Sequence, residues 1–340
     1  MRILKKLLLV LVVAVVALAG IGMLLPRQVR VERSAVINAP AATIHTLASG
    51  YKLFNKWSPW YERDPQAKYT YEGPDSGVGA KMSWASENKD VGSGSQEVTE
   101  SQAPDKVKVK LNFGDGGTAW SDWAIVADAA GTKVTWGCDI DMGAGPVGRW
   151  FGPMMDKWIG TDYEKGLANL KTFAESLPKD DFAGLAVEQI EAAPQTVAFV
   201  NAACAKDDKA IAETIGASYA KVGQFMAKNG LKQAAAVQTI NHKYDDSGYQ
   251  FDAAIPVDHA PEKEIPADSP VQVKQTYAGK ALKVVHKGSY HNMESTYRQM
   301  IAYMAAHGYE GAASPWDEYV SDPGNTPEPE LLTNIVWPIK

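Results

Sequence analysis

Near the C-terminus, the stretch "SPWDEYVSDPG" (314–324) sets two carboxylates, Asp317 and Glu318, between two large aromatics, Trp316 and Tyr319. Alternate residues of a strand share a face. Trp316, Glu318 and Val320 therefore point one way, and Asp317, Tyr319 and Ser321 the other. A glutamate beside an indole on a buried face is costly unless something pairs with it, so this face is either wet or waits for a partner. Other chemistry-bearing residues are sparse. The two cysteines, Cys138 and Cys204, have no CxxC spacing, which leaves a disulfide framework or a thiolate zinc site unsupported. The six histidines are scattered and form no HExxH or similar ligand pair. No metal or cofactor is expected. The net charge of −6, without a basic stripe, argues against nucleic acid.

The elements that must position these residues begin with an apolar run. Arg2, Lys5 and Lys6 precede Leu7–Leu25, which is uncharged and ends at Pro26. Nineteen residues at helical rise span about 28 Å, close to a bilayer core. Ala17-Leu18-Ala19 resembles a signal-peptide cleavage site, but the apolar run continues past it. Residues 1–26 therefore read as an uncleaved anchor, with the N-terminus inside. The expectation is a single-pass protein of a bacterial inner membrane with its soluble part on the periplasmic side.

After the anchor, "VRVERSAVINAP" (29–40) alternates like a strand, and Ala41–Ser49 suits a short helix. Short alternating stretches separated by Gly and Asp turns follow, from "KYTYEG" to "TKVTWGCDIDM", which is the spacing of an antiparallel meander. Trp150, Met154, Trp158, Tyr163, Leu167, Leu170, Ala174 and Leu177 then recur at steps of three to five, the period of a long helix. Residues 27–177, with "VERSAVINAPAATIHTLAS", "WSPW" (57–60) and the terminal helix, resemble the START-like (SRPBCC, polyketide cyclase/dehydrase) helix-grip family. That resemblance implies a sheet curled around the long helix with an apolar cavity between them. Trp84, Trp120, Trp123, Trp136, Trp150 and Trp158 are candidates to line it or simply to fill the core. No catalytic constellation is visible in this part.

A polar linker, 178–184, leads to an internal repeat. "SYAKVGQFMAKNGLK" (218–232) matches "TYRQMIAYMAAHGYE" (296–310) at an offset of 297 − 219 = 78. Each is an amphipathic helix stopped by a glycine suited to the left-handed C′ position. Each follows a strand and precedes two more, so a strand–helix–strand–strand unit is used twice, over about 185–257 and 271–340. With "HKGSY", "PWDEYVSDP" and "IVWPIK", residues 185–340 resemble the GyrI-like effector-binding family, whose fold also serves AraC- and MerR-type regulators. The whole is thus expected to be α+β: a START-like domain followed by a duplicated GyrI-like domain.

The second resemblance implies a pocket between the repeats with a glutamate in it. Glu318 is placed there, with one residue more between proline and glutamate than the family spacing, and Tyr290 matches the pocket tyrosine. At the repeat offset Glu318 corresponds to Ile240 (318 − 78 = 240), so one copy carries a charge where the other is aliphatic. The resulting expectation is an aromatic cage of Trp316, Tyr290, Tyr319 and Trp337 around Glu318, suited to a hydrophobic cation. The alternative is a hydrolase acting on a small electrophile, with Glu318 as general base and Tyr290 assisting. No DNA-binding segment precedes the GyrI-like part, and the anchor argues against direct gene regulation. The expected partners are a hydrophobic small molecule and a membrane; nothing in the sequence points to a protein partner.

Overall fold

The computed structural model describes residues 2–340. The chain divides into two compact units, one made mostly of residues up to Ala183 and the other mostly of residues from Gly184 onward.

The first unit starts with helix α1 (Arg2–Leu24). Over Ile3–Leu24 it is apolar on all sides and almost wholly exposed, unlike a core helix, which would be buried. It is long and apolar enough to cross a membrane. Then come β1 (Gln28–Ile37), the short helices α2 (Ala41–Ser49) and α3 (Pro59–Arg63), and the strands β2 (Lys68–Glu72), β3 (Lys81–Ala85), β4 (Ser93–Gln102), β5 (Lys106–Asn112), β6 (Thr118–Asp128) and β7 (Gly131–Asp141). Helix α4 (Pro146–Arg149) and the long α5 (Gly152–Ser176) complete it. The seven strands form one antiparallel sheet in the order β1-β7-β6-β5-β4-β3-β2. Helix α5 buries Tyr163, Leu167, Leu170 and Ala174, spaced to lie on one face, in the same core as Val98, Val109, Trp123 and Trp136 of the sheet. Arg33 of β1 clamps α5 by reaching Asp156 and Glu164. Gly160 makes room for that guanidinium, since a Cβ there would lie 2.1 Å from Arg33 Nη2.

The second unit is the duplicated one. Its elements are β8 (Val187–Ala192), β9 (Thr196–Cys204), α6 (Asp208–Asn229), β10 (Gln238–Asp245) and β11 (Gly248–Pro256), then β12 (Gln272–Gln275), β13 (Gly279–Lys287), α7 (Met293–His307), β14 (Trp316–Tyr319) and β15 (Leu332–Pro338). The Asp207 carboxylate caps α6 by accepting from the Ala210 amide at 2.9 Å. Gly230 and Gly308 close α6 and α7, both at φ +69°, the left-handed conformation that the sequence assigns to them. All eight strands form one antiparallel sheet, ordered β12-β9-β11-β10-β14-β15-β13-β8. The repeat therefore carries a further strand per copy, β8 and β12, too short and too polar to stand out in the sequence. These two are exchanged: β8 precedes the first repeat but pairs with β13 of the second, and β12 precedes the second but pairs with β9 of the first. The copies meet where β10 pairs with β14.

Both units mix helices with antiparallel sheet, so the chain is α+β as the sequence leads one to expect.

Candidate functional site

In the first unit the meander and α5 enclose a cavity of about 420 Å³. Its back wall is a stack: Trp123 on Trp136 at 4.4 Å between ring centroids, and Trp136 on Tyr163 at 3.9 Å. Trp57 stands edge-on to both indoles, at 5.9 and 5.8 Å. Trp60, from the same "WSPW" stretch, packs edge-on to Trp136 and donates its indole N–H to Asp162 at 3.1 Å. Of the six tryptophans nominated from sequence, Trp84, Trp123 and Trp136 line the cavity. Trp120, Trp150 and Trp158 instead lie on the surface, 40%, 40% and 47% exposed. Trp57 and Trp60 take their place on the wall.

Some polar groups of the wall are satisfied within the protein, whereas the Tyr51 hydroxyl and the Trp57 indole N–H are buried without a hydrogen-bond partner. Trp136 donates to Ser121 Oγ, which donates onward to the Gly137 carbonyl, each at 2.9 Å. Burial pushes the Cys138 thiol up to about 11, so it is no thiolate nucleophile at neutral pH. No histidine, lysine or arginine is among the described residues lining the cavity. A space of this size with largely aromatic walls can hold an apolar molecule; three carboxylates, Asp90, Asp141 and Asp162, are also among its lining residues.

In the second unit, β14 divides the residues nominated from sequence between the two faces of the sheet. Trp316 and Glu318 lie on one face, where Trp316 packs with Ile240 and Val336. Glu318 accepts hydrogen bonds from Trp316 Nε1 and Asn334 Nδ2, each at 3.0 Å. Tyr319, Tyr290 and Trp337 belong to the other face, the one covered by α6 and α7. Tyr290 meets Tyr319 edge-on at 5.4 Å, and Trp337 lies 5.9 Å from Tyr297 of α7. The structure therefore does not bring Glu318 together with Tyr290, Tyr319 and Trp337.

The carboxylate that does share their face is Asp317, which sequence reasoning passed over. It is only 4% exposed. It accepts from the Tyr297 hydroxyl at 2.7 Å, Asn241 Nδ2 at 2.9 Å and Thr239 Oγ1 at 3.1 Å. Thr239 is in turn 3.1 Å from the Tyr319 hydroxyl, and the Tyr249 hydroxyl donates to Asn241 Oδ1. Among the described residues no lysine or arginine pairs with Asp317, and every group bonded to it is neutral. Burial holds its carboxyl above the usual carboxylate range, while the hydrogen bonds from Tyr297, Asn241 and Thr239 pull it back. Burial next to this carboxylate also pushes the Tyr297 and Tyr319 hydroxyls well above the ordinary tyrosine value.

A sequence signal for Asp317 did exist. β10 and β14 run antiparallel with Thr239 opposite Asp317, and 317 − 239 = 78, the repeat offset. Equivalent residues of the two copies thus face each other on the local two-fold axis, and there one copy carries a threonine and the other a carboxylate.

Comparison with known families accounts for both units. Residues 28–175 match the profile described as polyketide cyclase/dehydrase and lipid transport, and residues 185–340 match the GyrI-like small molecule binding domain. The chain joins a polyketide cyclase-type domain to a GyrI-like domain. Solved structures similar to part of it include the C-terminal domain of EcmrR, with 20% identity, a TM-score of 0.41, and coverage of 46% of this chain and 98% of that one. The EcmrR–DNA complex has 18% identity and a TM-score of 0.41, covering 57% and 72%. A hydrolase from Listeria innocua has 14% identity and a TM-score of 0.34, covering 45% and 91%. Likenesses this distant say nothing of what the present chain binds. No curated protein matches it. The cavity described above lies in the polyketide cyclase-type domain, and Asp317 lies in the GyrI-like domain.

Proposed function

We propose that the protein is a membrane-anchored binder of hydrophobic small molecules, taken up in the polyketide cyclase-type cavity, with the GyrI-like domain reading ligand charge. The observation that carries this reading is the partly open cavity of about 420 Å³ beside Trp123, Trp136 and Tyr163, large enough for a drug-sized apolar compound. The anchor is supported by the way the fold uses α1. Arg149 donates to the carbonyls of Met23 at 2.8 Å and Leu25 at 3.3 Å, and Trp150 Nε1 donates to Leu18 at 3.1 Å. The last carbonyls of a helix need such partners; Met23 and Leu25 would stay in the chain after cleavage at Ala19, so it is the Trp150–Leu18 bond that favours an uncleaved α1. On this reading the soluble domains lie on the periplasmic side of a bacterial inner membrane.

In the GyrI-like domain the preference for cations is assigned to Asp317, with Tyr290, Tyr319 and Trp337 as the aromatic contacts on its face; Glu318 and Trp316 stand behind it on the opposite face. A carboxylate bonded only to neutral donors in a low-dielectric setting favours a cation arriving beside it. The hydrolytic alternative, Glu318 acting with Tyr290, is less well supported because these two residues lie on opposite faces of the sheet.

The test is titration of the full chain in nanodiscs with an apolar fluorescent probe. Ala119 is buried and lines the cavity. Filling the space with Ala119→Phe is expected to weaken the probe at least tenfold. A lipophilic phosphonium and its neutral analogue are then compared on Asp317→Asn, which should weaken only the cation. Unchanged probe binding by Ala119→Phe overturns the cavity reading, and equal effects on the two analogues overturn the charge reading.

A further inference from the structure

The start of α5 is apolar on two sides. Met155 and Ile159 face the cavity. On another side, Phe151, Met154 and Trp158 follow one another at helical spacing and are 46%, 44% and 47% exposed. Val147 and Trp150, just ahead of them, are 73% and 40% exposed and continue the patch. Phe151 and Trp158 touch at 6.4 Å between ring centroids, so the patch is contiguous. Apolar surface of this kind on a folded domain marks a contact with something apolar.

What covers it follows from its position. Helix α4 packs on α1, and a Cβ on Gly22 would run into Pro146 and Trp150 Nε1 at 2.8 Å, so the two helices are in close contact. Trp150 reaches back to the Leu18 carbonyl and Arg149 to that of Met23. Leu18 lies six residues before the end of α1, about 9 Å along its axis at helical rise. If α1 spans a bilayer, Trp150 and its neighbours are therefore held within the outer ~9 Å of the span, at the acyl–headgroup boundary where Trp side chains concentrate.

We propose that the α4–α5 shoulder, Val147, Trp150, Phe151, Met154 and Trp158, is a second membrane contact, which dips into the lipid boundary beside α1 and lays the polyketide cyclase-type domain on the bilayer. Two contacts, one spanning and one interfacial, fix the domain's orientation where a single helix would leave it free to swing. The same helix turns that touch lipid with Met154 and Trp158 then touch the cavity with Met155 and Ile159, so an apolar ligand is exchanged with the bilayer across α5.

The inference rests on the reading of α1 as an anchor, and its test separates the two. The full chain is reconstituted in nanodiscs containing lipids brominated either near the carbonyl or near the chain end, and tryptophan quenching is measured for wild type and for a Trp150→Phe/Trp158→Phe double variant. Both replacements keep an apolar ring at an exposed position, so folding is preserved. The expected result is stronger quenching by the shallow bromines, with the quenchable fraction falling at least threefold in the double variant. An undiminished fraction in that variant, or deep bromines quenching better than shallow ones, overturns the shoulder contact. Neither tryptophan lines the cavity, so intact probe binding alongside failed quenching refutes the shoulder and leaves the cavity standing. A chain that does not partition into lipid at all refutes both the anchor and the shoulder.

Discussion

In the first unit Trp123, Trp136 and Tyr163 stack into a wall and leave about 420 Å³ in front of it. In the second, tyrosine, asparagine and threonine side chains close over Asp317 until only 4% of the residue is exposed. The first arrangement spends aromatic surface on keeping a space open and leaves two polar groups of its wall, Tyr51 Oη and Trp57 Nε1, without a hydrogen-bond partner. The second spends hydrogen bonds on holding one carboxylate that is bonded to no cationic side chain among the described residues, with His286 acting on it through space. A rigid apolar wall selects by shape, whereas a carboxylate among neutral donors selects by charge. Under the proposed function the two units report different properties of a molecule.

Each side of that contrast can be broken. Trp136 is 4% exposed and is packed against Trp123, Tyr163 and Trp57. Trp136→Ala should destabilise the polyketide cyclase-type domain by about 3–5 kcal/mol, measured by chemical denaturation; a loss below about 1 kcal/mol would mean that the wall is not rigid. Tyr297→Phe removes the shortest of the three hydrogen bonds to Asp317, 2.7 Å. It should cost about 1–3 kcal/mol in the GyrI-like domain, because a buried acceptor is left underserved; a neutral effect would argue that water already reaches Asp317.

A third experiment uses pH. Because burial raises the Asp317 carboxyl above its unfolded value, the folded domain binds that proton more tightly. The resulting stability is fully present below the unfolded value and is lost as pH rises through the folded one. Asp317→Asn should therefore gain on wild type in denaturant midpoint as pH is raised from acid to neutral. A difference that is flat with pH would show the carboxylate to be fully compensated. The smallest effect is expected at Glu318, half-buried and bonded to Trp316 and Asn334. Glu318→Gln should shift stability by no more than about 0.5 kcal/mol and leave discrimination between the phosphonium and its neutral analogue unchanged. Lost discrimination there would move the charge-reading role back from Asp317 to Glu318.

What could be read in the sequence followed periodicity. The alternation of β1, the long α5, the apolar α1 and the repeat with its stop glycines all rest on patterns that a single strand or helix carries by itself. What could not be read depends on which side of an element meets the rest of the molecule. Trp123 and Trp120 differ by three positions in one strand, yet one lines the cavity and the other is exposed. Trp158 follows helical spacing and still faces outward, because α5 is apolar on more than its core side, and Trp150, just ahead of α5, is exposed as well. Glu318 and its neighbour Asp317 differ for the same reason: one step along a strand exchanges the faces, and it is Asp317 that shares a face with Tyr319 and Trp337. Glu318 and Ile240 are equivalent by the repeat offset but do not face each other; the equivalent residues that do are Thr239 and Asp317. β8 and β12 had no periodic signal, being short and mixed in character, and their pairing belongs to the fold as a whole.

The exchange of β8 and β12 has a consequence during synthesis. When residues 185–257 have left the ribosome, β8 has no partner and β9 has one unprotected edge, since β13 and β12 have not yet been made. An open edge is a template for strand addition by another chain. The edge of β9 is covered only once residues 272–275 emerge, and β8 is used only after β13 follows. A nascent chain halted between the repeats is thus a sticky half-sheet, and two such halves from neighbouring polysomes present complementary vacancies to each other.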